Sequence, residues 1–332
     1  MSRATAPNWA APALALVLER VTATKTQVGG RFPLFADPGS GRWTTTGRGS
    51  WTGGFWAGLL WLRARHTRSP EDRRAAIACT DRLEPWIHAD TATRGLIFWY
   101  GTALADDPAS AGLRERVALA VRESYDAALG LVPWGSSFGG PRLRARVDGV
   151  PGLVPLLAVA DADAAASHLR RHLELCVGER RLGRFTWSWR YETNWIPQED
   201  PPPGWSRGRA WLLLAVADAA HVTSPDELVG KTRQLLPSSA VPPADEEHPE
   251  GPLDTSAAAI DAVALLKLGH RDQAVSLLHD LVRTHLTRDG RLLNGCYDLA
   301  SGTAPRHELI WGDFFLAYAL AALTGLVDPH EA

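Results

Sequence analysis

Two kinds of helical segment alternate along this chain, and that alternation limits its possible folds more than any other feature. Stretches such as WLLLAVADAA at 211–220 and TSAAAIDAVALLKL at 255–268 are apolar around most of their circumference, as helices covered on every side must be. Others are one-sided. In 110–129, Leu113, Val117, Val121 and Tyr125 form a stripe opposite Arg114, Glu115, Arg122 and Glu123; 163–177 (Leu169, Leu173, Cys176) and 271–286 (Leu277, Leu278, Leu281) repeat the pattern. Apolar periodicity and capping signals give about twelve helices. Their spans are 9–26, 51–66, 70–87, 94–105, 110–129, 150–161, 163–177, 205–221, 225–236, 255–268, 271–286 and 311–325. Strand-like alternation is scarce. All-round apolar segments tend to precede one-sided ones, which predicts an inner ring of helices inside an outer ring. The expected fold is all-α, an (α/α)6 barrel formed by residues 1–332 as a single domain, with its mouth built by inter-helix loops.

Local chemistry supports several boundaries. Ser69-Pro70 and Ser224-Pro225 each put a capping hydroxyl before a proline at the first helical position, and Glu227 completes a capping box with Ser224. Gly269 after Leu268 is a C-terminal stop. Three stretches interrupt the helices. Residues 134–152 and 183–205 are long, rich in Gly or Pro, and carry many aromatics, as functional loops do. The third, 236–254, is polar and Pro-rich and reads as a surface loop with freedom to move.

The overall charge excludes some partners. A net charge of -2, from 35 basic and 37 acidic residues without basic runs, provides no footprint for nucleic acid or for an anionic membrane. A neutral or small anionic ligand is expected, while the oligomeric state is not legible. Cys79, Cys176 and Cys296 are odd in number and far apart, which suits reduced structural thiols in a cytoplasmic protein better than a zinc site or a disulfide. No run approaches the roughly 18 apolar residues of a membrane span. The N-terminal stretch lacks the basic cluster and cleavage site of a signal peptide; it reads as a helix with Leu14, Leu18 and Val21 on one face.

Fourteen tryptophans are the compositional outlier. Each indole N–H needs a partner, so that many rings suggest that some line a wet cleft. The densest run is WTGGFWAGLLW at 51–61: Trp51, Phe55 and Trp56 are expected at a pocket wall, with Gly53 and Gly54 letting a ligand approach the backbone, and Leu59, Leu60 and Trp61 in the core. A sugar site also needs polar groups and one or two carboxyl groups to move protons. Asp148, in RARVDGVPGLVPLL, precedes an apolar helix, where desolvation favours a general acid; it could equally be an N-cap, and Arg142, Arg144 and Arg146 would oppose the desolvation effect if they faced it. Arg207 and Trp211 share a helix face, where an arginine can clamp a carboxylate or form a structural ion pair. Asp254, Thr255 and Ser256 read as caps, as does Asp313 beside Trp311. His168 and His172, at i and i+4 between arginines, read as a solvated face. No Walker loop, GxGxxG, HExxH or GxSxG motif occurs.

Five segments, in order, resemble the unsaturated glucuronyl hydrolases of glycoside hydrolase family 88 and, secondarily, the unsaturated rhamnogalacturonyl hydrolases. They are WTGGFWAGLLWL (51–62), like the family's WTSGFWPGxLWL; VDGVPGLVPLL (147–157); WSRGRAWLLLAVAD (205–218), like WARGQAW; LDTSAAAI (253–260), like DSSAxAI; and LIWGDFFLAYAL (309–320), like LIYGDYYFLEAL. The resemblance implies an (α/α)6 barrel that needs no metal or organic cofactor and hydrates the C4=C5 bond of a 4,5-unsaturated uronic acid glycoside. In that chemistry an aspartate protonates C4 and helps water add at C5; the hemiketal opens, and the aglycone leaves without attack at the anomeric carbon.

By position that aspartate is Asp148. Arg207 and Trp211 match a substrate-side arginine and tryptophan, and Trp51, Phe55 and Trp56 match the aromatic wall, with Trp311 nearby. Two positions depart from the family pattern. Where members carry HDxGF, this chain reads Ala92-Thr93-Arg94-Gly95-Leu96, so Thr93 stands at a family aspartate, which Asp90 replaces only if the loop is rebuilt. A family histidine falls near Ser188, with Arg190 or Tyr191 available to take its space. The alternative to an enzyme is a non-catalytic sugar-binding protein on the same barrel.

Overall fold

The structure, a computed structural model, describes residues 6–178, 184–219 and 232–332. Its centre is a closed ring of six helical segments: α2 (Gly53–Thr67), α4 (95–102), α6 (Leu153–Ala158), α8 (Ser206–Asp218), α9 (Thr255–Lys267) and α11 (Ile310–Thr324). Each packs on the next, and α11 returns to α2. Between α6 and α8 the ring is joined both directly and through the short turn Val147–Gly149. Among the described residues five outer helices alternate with these along the chain: α1 (Ala10–Val28), α3 (Pro70–Asp81), α5 (Pro108–Glu123), α7 (Ala162–Leu173) and α10 (Arg271–Asp280). Most of the helix expected at 225–236, with its Ser224 capping box, lies outside the described residues. All of α8 and nearly all of α9 and α11 is buried, as their all-round apolar sequences require.

Glycines set the spacing of the ring. A Cβ at Gly54 would lie 2.2 Å from the carbonyl oxygen of Ile97, and one at Gly58 would lie 2.6 Å from that of Tyr100. On the next helix, a Cβ at Gly95 would lie 2.2 Å from the backbone nitrogen of Leu153. Backbone therefore meets backbone from α2 through α4 to α6. This corrects the expectation for Gly53 and Gly54, which admit neighbouring protein rather than a ligand.

Several predicted helices are shorter and end differently. Segment 70–87 stops at Asp81 and resumes as a single turn at Glu84–Trp86. Segments 163–177 and 271–286 end in π-wound turns, Glu174–Gly178 and Leu281–His285. At the start of α3 the Ser69 hydroxyl accepts from the amides of Glu71 and Asp72, as expected of the cap.

Another correction concerns His168 and His172. Both are fully covered, at 0% and 1% exposure, because they fall on the inward stripe of α7 together with Ala164, Ala165, Leu169 and Leu173. The amide of Val132 donates to His168 Nδ1 (3.1 Å), so Nε2 carries the proton and meets the carbonyl of Gly149 at 3.2 Å. His172 Nδ1 lies 2.8 Å from the carbonyl of His168. Burial holds both rings neutral, that of His172 down to about 4 from 6.5. Because the folded-state value is depressed, the unfolded chain binds more protons below pH 6.5. Stability is thus complete above 6.5 and falls as pH drops toward 4, by about 3 kcal/mol from His172 alone. Urea unfolding at pH 7.5 and 5.0 checks this: wild type should lose more stability on acidification than His172→Gln, and equal losses would contradict it.

Among the described residues two small antiparallel sheets lie outside the helices. In the first, β1 (Phe32–Ala36) is flanked by β2 (Trp43–Thr46) and β6 (Glu308–Leu309). The second corrects the picture of two long loops. Residues 134–152 and 183–205 pair through β3 (Arg144–Arg146), β4 (Ser188–Tyr191) and β5 (Trp195–Gln198) in the order β3-β4-β5. Arg144 stands opposite Arg190, Ala145 opposite Trp189, and Arg146 opposite Ser188. Side chains alternate across a strand. Accordingly Ala145 and Trp189 bury themselves with Leu129, Leu131 and Leu175, and Arg144, Arg146, Ser188 and Arg190 share the other face.

Candidate active site

The inner helices begin at one end of the ring, and the sequences that start them converge on a cleft of about 300 Å³. Trp51 enters from the head of α2, Thr93 and Leu96 from that of α4, Asp148 from the turn before α6, and Trp205, Arg207 and Trp211 from the first turns of α8. The partial positive charge of helix N-termini favours an anion at such an end.

The walls are aromatic. Trp51 packs on Trp311 (ring centroids 4.9 Å apart) and on Tyr297 (6.3 Å). Trp134 and Phe138 also line the cleft. Of the aromatics predicted as wall, Trp51 and Trp211 line the cleft, whereas Phe55, Trp56 and Trp311 do not. Phe55 stacks behind the wall, 5.2 Å from Tyr100 and 6.3 Å from Trp211, while Trp311 stands behind Trp51. This is a correction: Phe55, Trp56 and Trp311 sit in the first turns of α2 and α11, and their rings are buried among the neighbouring helices.

Asp148 is half-buried on the cleft wall, where Arg146 Nε donates to its Oδ1 at 2.9 Å. Of the three arginines that could oppose desolvation, Arg146 faces it. The same guanidinium lies over Trp134, 5.5 Å from the ring centroid. The turn that carries Asp148 is held from both sides: Val147 N donates to Trp187 O (3.0 Å), and Gly149 O meets His168. Asp148 is therefore fixed by the sheet and by the outer helix α7, rather than acting as an N-cap, since α6 starts after Gly152.

Arg207 lines the cleft, but its guanidinium is largely occupied. Nη1 donates to Asp254 Oδ2 (2.5 Å) and to the carbonyl of Cys296, and Nη2 donates to the carbonyl of Tyr297 (2.7 Å). It also lies over the rings of Trp205 and Trp311, at 5.1 and 5.4 Å. Asp254 caps α9 through Ser256 N and Ser256 Oγ, as predicted, and is fully buried. Asp313 is no simple cap. It is buried away from the cleft, and burial together with the neighbouring Glu308 raises its pKa well above the usual carboxylate range. Glu308 in turn takes two hydrogen bonds of 2.8 Å from Arg20.

At the two departures from the family pattern the polar groups are spent or hidden. Thr93 faces the cleft with its hydroxyl 2.9 Å from that of Thr91. Asp90 does not line the cleft: it accepts from Ser136 N, Ser136 Oγ and Arg142, which hold its carboxyl below the ordinary value despite some burial. Ser188 is buried outside the cleft lining, its Oγ without a partner among the described residues. Arg190, also off the lining, pairs with Glu192 (2.9 Å).

Asp200, Trp205, Asp245, Tyr297 and Leu299 line the cleft unforeseen. Trp205 was within reach, since it opens the quoted WSRGRAW segment; the others come from irregular stretches with no periodic signal. Asp245 belongs to 236–254, which is pinned instead of mobile: Ala244 N donates to Pro252 O and Glu246 N to Gly204 O, both at 2.7 Å. Among the described residues no group of three His, Cys, Asp or Glu side chains is arranged to hold a metal, and no helix is long and apolar enough to cross a membrane.

No protein-family model matches the chain. It is 25% identical to the unsaturated glucuronyl hydrolase of Bacillus sp. (strain GL1), over 89% of this chain and 91% of that one. The solved structure of an unsaturated glucuronyl hydrolase from Bacillus sp. GL1, responsible for the degradation of glycosaminoglycan, superposes with a TM-score of 0.83 at 21% identity, covering 95% and 96% of the two chains. An unsaturated glucuronyl hydrolase specific for heparin gives 0.84 at 18% identity, over 97% and 99%. An asparagine variant of the Streptococcus agalactiae enzyme, complexed with dGlcA-GalNAc6S, gives 0.71 at 16% identity, over 96% and 92%. Sequence and structure together make this chain a divergent relative of the unsaturated glucuronyl hydrolases, built on their α/α barrel.

Proposed function

We propose that the protein is a glycosidase that hydrates the C4=C5 bond of a 4,5-unsaturated uronic acid glycoside and so releases the aglycone, with Asp148 as general acid and base. The observation that carries this reading is the placement of Asp148: a half-buried carboxyl group at the mouth of the helical ring, anchored by backbone on both sides and facing a tryptophan-walled cleft. Aromatic faces suit the C–H surfaces of a sugar ring. Helix starts and two arginines suit its carboxylate. Asp148 delivers a proton to C4 and takes one from the water that adds at C5. The hemiketal then opens to a ketone, C1 is left as a hemiacetal, and the C1–O bond to the aglycone breaks as the free aldehyde forms. Trp51 and Trp211 serve as stacking surfaces. The small substrate is a carbohydrate, the chain acts as one domain, and the buried free thiols of Cys79, Cys176 and Cys296 suit the cytoplasm.

The second reading, a sugar-binding protein without turnover, draws on the committed hydroxyl of Thr93 and the hidden Ser188. One assay separates the two. The C4=C5 bond is conjugated with the carboxylate and absorbs in the ultraviolet, so an unsaturated disaccharide should lose that absorbance catalytically when the protein is added. Tight binding with unchanged absorbance would favour the binding protein.

A further inference from the structure

Within that proposed reaction, the substrate must present its carboxylate next to the carbon that Asp148 protonates. Among the described residues two cations line the cleft, Arg146 and Arg207. Arg207 is bonded to Asp254 and to two carbonyls, and turning it toward a ligand would strand a fully buried aspartate. Arg146 is differently placed. Its Nε holds Asp148, its Nη1 lies 3.7 Å from the highly exposed carboxylate of Asp200, and among the described residues neither Nη1 nor Nη2 makes a hydrogen bond. It is half-buried, over the ring of Trp134 and already on the wall.

Its surroundings also suit an incoming anion. Arg144, Arg146 and Arg190 share one face of the β3-β4-β5 sheet, and the Nε atoms of Arg144 and Arg190 are buried without partners among the described residues. Directly across the strand from Arg146 is Ser188, near which the resemblance implies a histidine. An imidazole is thus absent at Ser188, whose hydroxyl is buried, while a cation stands beside its position.

We propose that Arg146, rather than Arg207, binds the carboxylate of the unsaturated uronate and sets the preference for an acidic sugar. Substrate displaces the loose contact with Asp200 and meets the two terminal nitrogens of a planar guanidinium, a geometry suited to a carboxylate. The same side chain, reaching substrate with its nitrogen tips and Asp148 with Nε, registers the carboxylate against the proton donor.

The test compares an unsaturated uronide with its methyl ester, which keeps the conjugated double bond and loses the charge. For the acid, Arg146→Gln should raise KM on the order of ten- to hundredfold, Arg146→Lys should recover part of that loss, and the KM of the ester should change by no more than a few fold in either variant, whatever happens to kcat. Wild type itself, with no variant to fold, should prefer acid to ester by a similar factor. An unchanged KM for the acid in Arg146→Gln, or equal losses for acid and ester, would overturn the assignment by leaving Arg146 only as a support for Asp148. If wild type turns over neither compound, the reaction is wrong; calorimetric Kd values of acid and ester for wild type and Arg146→Gln then still decide the assignment by the same acid-to-ester comparison.

Discussion

Asp148→Asn is expected to lower kcat on an unsaturated uronide by about 10²- to 10⁴-fold while leaving the fold and KM nearly intact. The size follows from general acid-base assistance, which contributes in that range when a positioned side chain moves a proton in the transition state. The amide is nearly isosteric, and the turn that carries it is fixed by backbone contacts from Val147 and Gly149 rather than by the carboxylate. Its effect should therefore appear in turnover and not in stability. Normal kcat in purified Asp148→Asn would remove Asp148 from the chemistry.

Arg207→Met should destabilise the fold strongly, by about 3–5 kcal/mol. Arg207 and Asp254 form an ion pair whose side chains are 6% and 0% exposed, and removing one member of such a pair leaves an uncompensated buried charge. The same guanidinium holds the carbonyls of Cys296 and Tyr297, so the Tyr297 side of the cleft should loosen too. Asp254→Asn added to Arg207→Met removes the stranded charge and should restore part of the loss. Denaturant unfolding would contradict the account if Arg207→Met cost less than about 1 kcal/mol, the scale of an exposed pair.

The ring of helices was legible because period and circumference together tell a covered helix from a one-sided one, and α8, α9 and α11 are covered as their sequences demand. The β3-β4-β5 sheet was not. Its strands are three or four residues long, too short for an alternation to stand out among the aromatics of 134–152 and 183–205. His168 and His172 show the hazard of reading the neighbours in sequence: the arginines beside them point outward, while the i, i+4 stripe they share with Leu169 and Leu173 points in.

The cleft was half legible. Trp51, Asp148, Arg207 and Trp211 lie at helix starts that the sequence marks, and all four line it. Phe55, Trp56 and Trp311 are equally aromatic and as near a helix start, yet their rings are buried behind the wall. Density of tryptophan locates the neighbourhood of the site and does not sort wall from support. Arg146 depends on cross-strand register, which only the folded chain displays.

The most direct test of the central claim is to run the reaction in D₂O and follow the product by NMR. Hydration at C4=C5 predicts a deuterium at C4 of the released keto-uronate, because the proton delivered there comes from an exchangeable carboxyl group in equilibrium with solvent. Release of the aglycone with the C4=C5 bond intact and no deuterium at C4 would mean direct attack at the anomeric carbon, and would contradict the mechanism proposed for this cleft.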